Sequence, residues 1–216
     1  MKKRISFLLL CGVSLCSMLA PAVAQKPTFG VQAGATFSTW TGKVNGSSTG
    51  TDLKTGFTAG VLSNFDLGKN FVLQPSLNFT QKGMKESGAG AELVMLQNYI
   101  ELPVNFLYRT KDVSQGHFFV GAGPSFGFAV SGKRKLSGPG FSEEHDLEIG
   151  SEDTDDIKPF DFGLNMLLGY QFANGLFVSA NYSPGLINIL PGNDMDDTAK
   201  NNCIGIRVGI LFGSLK

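Results

Sequence analysis

From Thr28 onward the chain alternates. Between Thr28 and Trp40 the odd positions Phe29, Val31, Ala33, Ala35 and Phe37 are apolar or small, and the even positions Gly30, Gln32, Gly34, Thr36 and Ser38 are small or polar. This is the period of a β-strand with one apolar face. Seven later segments repeat it. The second carries Phe57, Ala59, Val61 and Phe65. The third carries Phe71, Leu73, Leu77 and Phe79, with Gln74, Ser76, Asn78 and Thr80 on the opposite face. The fourth carries Ile100, Leu102, Val104, Phe106 and Tyr108, and the fifth Phe118, Val120, Ala122, Phe126, Phe128 and Val130. Phe160, Phe162, Leu164, Met166, Leu168, Tyr170 and Phe172 mark the sixth. Leu176, Val178, Ala180, Tyr182 and Leu186 mark the seventh, and Ile204, Ile206, Val208, Ile210 and Phe212 the eighth.

The connections alternate as well. Residues 67–70, 110–116 and 173–175 make short turns, whereas 41–54, 85–94, 132–158 and 189–202 make long loops. Short periplasmic turns against long outer loops are the asymmetry of outer-membrane barrels. The pattern therefore predicts an all-β fold: an eight-stranded antiparallel up-and-down transmembrane β-barrel with both termini periplasmic. Lipid excludes open sheet edges, so a membrane reading of these strands requires closure.

The distribution of charge decides which face meets lipid. A soluble barrel would hide its apolar face inside and hydrate the other with charged residues. Here the predicted strands hold few charges, namely Asp66, Lys82, Glu101, Arg109, Asp161, Arg207 and Lys216. The second face is mostly Gly, Ser, Thr, Asn and Gln, which suits a narrow polar lumen, and the bulky face points at lipid. Phe29 and Phe37, Phe57 and Phe65, Phe71 and Phe79, Phe118 and Phe126, and Phe162 and Tyr170 are each eight residues apart on that face. Eight residues rise about 26 Å along a strand. On a strand tilted by about 40° that is roughly the spacing of two interfacial girdles. Pro75, Pro103, Pro124 and Pro184 fall inside strands, where a closed barrel has no free edge for a missing donor, and bulges are the expected accommodation.

The front of the chain gives the route. Lys2, Lys3 and Arg4 precede an apolar stretch over 5–19, and Ala22-Val23-Ala24 is a small-residue cleavage site. Residues 1–24 thus read as a signal peptide and 25–216 as the barrel domain. A lipoprotein signal is the alternative, but Leu10 precedes Cys11 and Leu15 precedes Cys16 where a small residue is wanted. Loss of the three leader cations takes the 18 basic residues to 15 against 18 acidic ones, which gives no electrostatic footprint for nucleic acid. Cys203 is then the one cysteine of the mature sequence, so no internal disulfide can form.

Tyr99-Ile100-Glu101-Leu102-Pro103-Val104 resembles the Y-ϕ-E-ϕ-P-ϕ signature of the porin-T-like outer-membrane barrels, and Gly121-Ala122-Gly123-Pro124 resembles their G-x-G-P strand. The resemblance covers the layout of the mature chain and, in motif, these two strands. It implies an eight-stranded barrel without a cofactor. Some members of that family are linked to protein secretion and gliding machinery, and most have no assigned role. The C-terminus departs from the common outer-membrane pattern, because Gly213-Ser214-Leu215-Lys216 follow the last aromatic, Phe212.

Candidate chemistry is sparse. Glu143, Glu144, Asp146, Glu148, Glu152, Asp153, Asp155 and Asp156 crowd the 132–158 loop, and Asp194, Asp196 and Asp197 form a smaller group. Their spacing matches no calcium loop, so a solvated acidic surface is expected and no metal site. His145, beside Asp146 and near Ser142, lies on the outer side, where a lipid-editing enzyme would need its nucleophile and base; His117 lies at the periplasmic end. One constellation belongs to the lumen. Glu101 and Arg207 share inward parity on the fourth and eighth strands, opposite in an eight-membered ring. A barrel of this size is just wide enough for side chains to fill, so a charge pair across the axis is expected to block it. The sequence therefore reads as a non-enzymatic structural or interaction barrel, and the resemblance implies an association with secretion machinery. A small diffusion channel (a porin) is the alternative, and a lipid-editing barrel enzyme the less favoured one. Expected partners are outer-membrane lipid, the barrel assembly machinery and other envelope proteins.

Overall fold

A computed structural model describes residues 27–44, 47–88, 90–110, 115–191 and 197–212; the expected signal peptide lies outside them. Among the described residues the strands are β1 (Thr28–Val44), β2 (Ser47–Gly50), β3 (Lys54–Gly68), β4 (Phe71–Gly88), β5 (Ala91–Arg109), β6 (Gly116–Gly138), β7 (Phe141–Asp146), β8 (Phe160–Phe172), β9 (Leu176–Pro184) and β10 (Thr198–Phe212). Eight of them, β1, β3, β4, β5, β6, β8, β9 and β10, pair in sequence order, and β10 returns to β1. The closing seam runs in one register from Phe29↔Phe212 to Lys43↔Thr198, so the start of β1 and the end of β10 lie together at the end that carries the short turns. The ring is antiparallel throughout, as the alternation requires.

The pleat sorts the side chains as their parity demands. Phe29, Val61, Phe118, Leu168 and Val208 stand exposed on the outside, whereas Thr58, Asn78, Asn105, Asn165 and Asn181 are buried inside the ring. Rings contact one another across strands in two tiers. Phe57–Phe79, Phe126–Phe162 and Phe128–Phe160 lie toward the long loops. Phe71–Phe106, Phe71–Tyr108, Phe118–Tyr170 and Tyr170–Phe172 lie toward the short turns. Two aromatic tiers around an apolar outer face are what interfacial anchoring requires.

Two expectations need correction. First, the interior prolines are not bulges. Register shifts occur at Asp66/Gly68 and at Asn98/Tyr99, away from every one of them. Each proline instead sits at an in-register gap toward the preceding strand of the ring. Pairing passes from Leu62↔Ser76 to Phe65↔Leu73 around Pro75, and from Pro75↔Val104 to Asn78↔Glu101 around Pro103. It passes from Pro103↔Ser125 to Phe106↔Ala122 around Pro124. At Pro184 the β8–β9 ladder stops at Met166↔Tyr182 and resumes as the single bridge Gly163↔Gly185. The missing N–H removes a rung on one side, and the proline keeps its pairing on the other. Second, the long connections are not simple loops. β4 and β5 run on as a hairpin to Gly88↔Ala91. β6 extends to Gly138 and turns back as β7, while β2 pairs onto the end of β1.

Candidate functional site: the lumen

Four layers of side chains fill the ring. At the short-turn end Leu62, Val72, Leu107, Phe119, Leu167, Phe177 and Leu211 pack as one buried apolar cluster. Each comes from a different strand, and the Phe119 and Phe177 rings meet edge to face at 6.4 Å. The sequence pattern predicts a narrow polar lumen and does not mark this apolar floor. These residues share the inward parity of the polar positions, but they gather near the strand ends, where they close a floor.

Above the floor lies a hydrogen-bonded amide layer. Gln32 donates to Asn78 at 2.7 Å, and Gln74 to Asn64 at 2.9 Å. Asn165 is a hub: it donates to Asn105 at 2.8 Å and accepts from Ser183 at 2.7 Å and Asn181 at 3.3 Å. Amides carry both donors and acceptors, so such a layer can satisfy itself without water.

The charged layer comes next. Lys82 Nζ lies 2.6 Å from Glu101 Oε1 and 3.4 Å from Asp161 Oδ2. It also stands 5.1 Å from the centre of the buried Tyr99 ring, a cation–π contact. Asn201 Nδ2 donates to Asp161 Oδ2 at 3.0 Å and to the Tyr99 hydroxyl at 3.3 Å. Lys82, Tyr99, Glu101, Asp161 and Asn201 are all buried, so the members of this network depend on one another.

Of the two residues singled out from sequence, both are buried in the ring. They do not form an ion pair with each other. Glu101 bonds to Lys82, whereas Arg207 lines a chamber nearer the floor, together with Gln32, Asn64, Gln74, Ser179 and Asn181. The reason is reach: Lys82 sits on the adjacent strand, beside Gln97 and near Glu101 in the β4–β5 ladder, while Arg207 would have to cross the ring. Sequence reasoning missed Lys82 and Asp161 as members of the site. Parity could have found them, since Lys82 continues the inward run Ser76, Asn78, Thr80, and Asp161 continues Asn165 and Gly163. Lys82 and Arg207 balance Glu101 and Asp161, so these four buried charges sum to zero.

At the long-loop end Trp40, Met84, Met95, Leu147, Ile157, Ile189 and Ala199 form a second buried apolar cluster. The 147–157 segment folds over the ring to supply part of it, held by the Ile149↔Ile157 bridge and by the Lys158 N–H bond to the Ile189 carbonyl. The lumen is thus capped at both ends by apolar side chains.

The two sequence motifs meet here. On β5 and β6 they are neighbours end to end: Tyr99–Pro103 lies opposite Ser125–Ala129, which follows Gly121–Pro124, while Gly121 and Ala122 pair with Leu107 and Phe106. A Cβ at Gly123 would overlap the Val104 carbonyl oxygen, so only glycine permits this strand approach. Tyr99 and Glu101 present their side chains to the charged layer from the same stretch.

The other candidates lie apart. His145 and Ser142 fall on opposite faces of β7, so they do not form a nucleophile and base pair. His117 is buried at the short-turn end. The acidic loop caps its own backbone, with the Glu152 N–H on Asp155 Oδ2 and the Glu148 N–H on Asp156 Oδ2. Among the described residues no cluster of three or more His, Cys, Asp or Glu could hold a metal; Asp194 and Asp196 lie outside them. Cys203 is free and buried.

A family model for the outer membrane protein β-barrel domain matches residues 23–190. The chain belongs to this family. It is an outer-membrane β-barrel, as the closed ring and its apolar exterior require. Among solved structures, it is similar to Ail, the attachment invasion locus protein of Yersinia pestis, at 14% identity and a TM-score of 0.44, over 87% of this chain and 100% of the other. Neisserial surface protein A is similar at 12% identity and a TM-score of 0.45, over 86% of this chain and 99% of the other. The N-terminal β-barrel domain of Pseudomonas aeruginosa OprF gives 11% identity and a TM-score of 0.37, over 87% and 100%. A search of curated proteins gives no match.

Proposed function

We propose that the protein works from its surfaces and not through its lumen, as a structural or interaction barrel that holds a small β-sheet above the outer membrane. The observation that carries this reading is the sealed interior. An apolar floor, an amide layer, an ion-paired layer and an apolar cap succeed one another along the axis. The resemblance of Tyr99–Val104 and Gly121–Pro124 to the porin-T-like barrels supports a finer version, in which envelope proteins of a secretion machinery are the partners. Outer-membrane lipid meets the apolar exterior, the barrel assembly machinery inserts the chain, and residues 1–24 are removed as a signal peptide. The separation of Ser142 from His145 argues against a lipid-editing enzyme. Liposome swelling tests the reading. Vesicles carrying the purified protein should exclude small sugars as protein-free vesicles do; swelling at a rate set by sugar size would put a small diffusion channel in its place.

A further inference from the structure

Beyond the long-loop girdle, β4, β5 and β6 continue upward as a sheet, and β7 joins its side. Among the described residues β7 pairs with β6 alone, from Gly138↔Phe141 to Lys133↔Asp146, and every residue of it is exposed. The hairpin closes through Pro139 and Gly140, with Gly140 at φ +84°, the geometry that a Pro-Gly turn supplies. No backbone bond of 141–146 outside the β6 ladder occurs among the described residues. β7 is therefore a free edge, with alternate N–H and C=O groups pointing away from the protein.

The outer face of this sheet has a charge pattern. Lys85 of β4 pairs with Glu92 of β5 at 2.5 Å, and Lys133 of β6 pairs with Glu144 of β7 at 2.5 Å. Lys135 stands directly opposite Glu144, and Lys133 opposite Asp146. The Lys133–Glu144 bond holds that carboxyl below its ordinary range and the ammonium above its own. Signs thus alternate strand by strand, basic on β4, acidic on β5, basic on β6 and acidic on β7. The next strand in this order would be basic, because opposite charges across a pair stabilise and like charges oppose. A second copy of β7 does not meet that requirement. Antiparallel pairing of 141–146 with itself sets Glu143 against Glu144.

We propose that the free edge of β7 is a docking site for an extended, lysine- or arginine-rich segment of another protein, which adds to the sheet as its next strand. Main-chain bonds would supply affinity and the acidic column specificity. The inference rests on the reading of the protein as an interaction barrel and names the chemistry of its partner.

The test uses the mature protein in lipid nanodiscs and three synthetic hexapeptides. One alternates threonine and lysine, one alternates threonine and glutamate, and one is the lysine peptide with alternate amides N-methylated. The lysine peptide should bind and slow hydrogen exchange within 141–146. The glutamate peptide should not bind, and N-methylation should abolish the protection. Glu144→Gln with Asp146→Asn, which leaves the backbone pairing intact, should weaken binding by about three- to tenfold, as expected for two lost cross-strand charge pairs. Equal binding of the methylated peptide would overturn the proposal, as would equal binding of the two charge types or protection elsewhere on the protein. A conducting barrel would sink the interaction reading without changing these peptide results, so the two failures are separable.

Discussion

Lys82 and Glu101 form an ion pair 2.6 Å apart, buried on neighbouring strands, and Lys82 is also the only cation bonded to Asp161 among the described residues. The two partners are therefore unequal. Glu101→Gln leaves Lys82 paired with Asp161. Lys82→Met removes the ion-pair partner of both buried carboxylates and leaves one cation, Arg207, for two acids; it should cost about 3–5 kcal/mol, the larger loss of the two. Urea unfolding in a double-mutant cycle measures the coupling. Glu101 should couple more strongly to Lys82 than to Arg207; the reverse order would mean that the charges are arranged differently.

The lipid and lumen faces should respond differently to substitution. Val120→Arg places a charge on the apolar exterior and should cost about 2–4 kcal/mol near mid-membrane. Ser125→Ala, inside the ring, should cost far less. Asn165→Ala is the informative exception among lumen changes. It removes three hydrogen bonds and should cost about 1–3 kcal/mol through the groups left unpaired. Refolding titrations in lipid vesicles would check this order.

Gly123→Ala tests the motif strand. Its methyl group would enter the space of the Val104 carbonyl, so the β5–β6 ladder must part locally. A loss of about 1–3 kcal/mol is expected, as for other overpacked sites, whereas Gly88→Ala, with open space around it, should be nearly neutral. Comparing the two unfolding midpoints separates close approach from general glycine effects.

The strands of the ring were legible because one period-two signal governs both burial and sequence. What escaped had no such signal. β7 is Phe-Ser-Glu-Glu-His-Asp, exposed on both faces, so its alternation carries no hydrophobic mark. β2 is Ser-Ser-Thr-Gly. The floor was hidden because Leu62, Phe119 and Phe177 sit among glycines and polar residues of the same parity. The partner of Glu101 depended on register between strands, and a sequence fixes parity within a strand more readily than height between strands. The proline gaps are likewise a property of pairing, invisible until the neighbouring strand is known.

Protease added to intact cells reports orientation. The exposed turn around 150–154 should be the first cut, whereas the hairpin arms of β4 and β5 should resist through their paired backbones. Cleavage within 110–116 under the same conditions would reverse the orientation of the barrel. Mass spectrometry of the fragments identifies the site directly.

The sealed lumen is most directly tested by current across a planar lipid bilayer containing the refolded mature protein. The two apolar caps and the ion-paired layer between them predict a silent membrane, without stepwise conductance at moderate voltage. Steady, stepwise open-channel current from the wild-type barrel would contradict that closure.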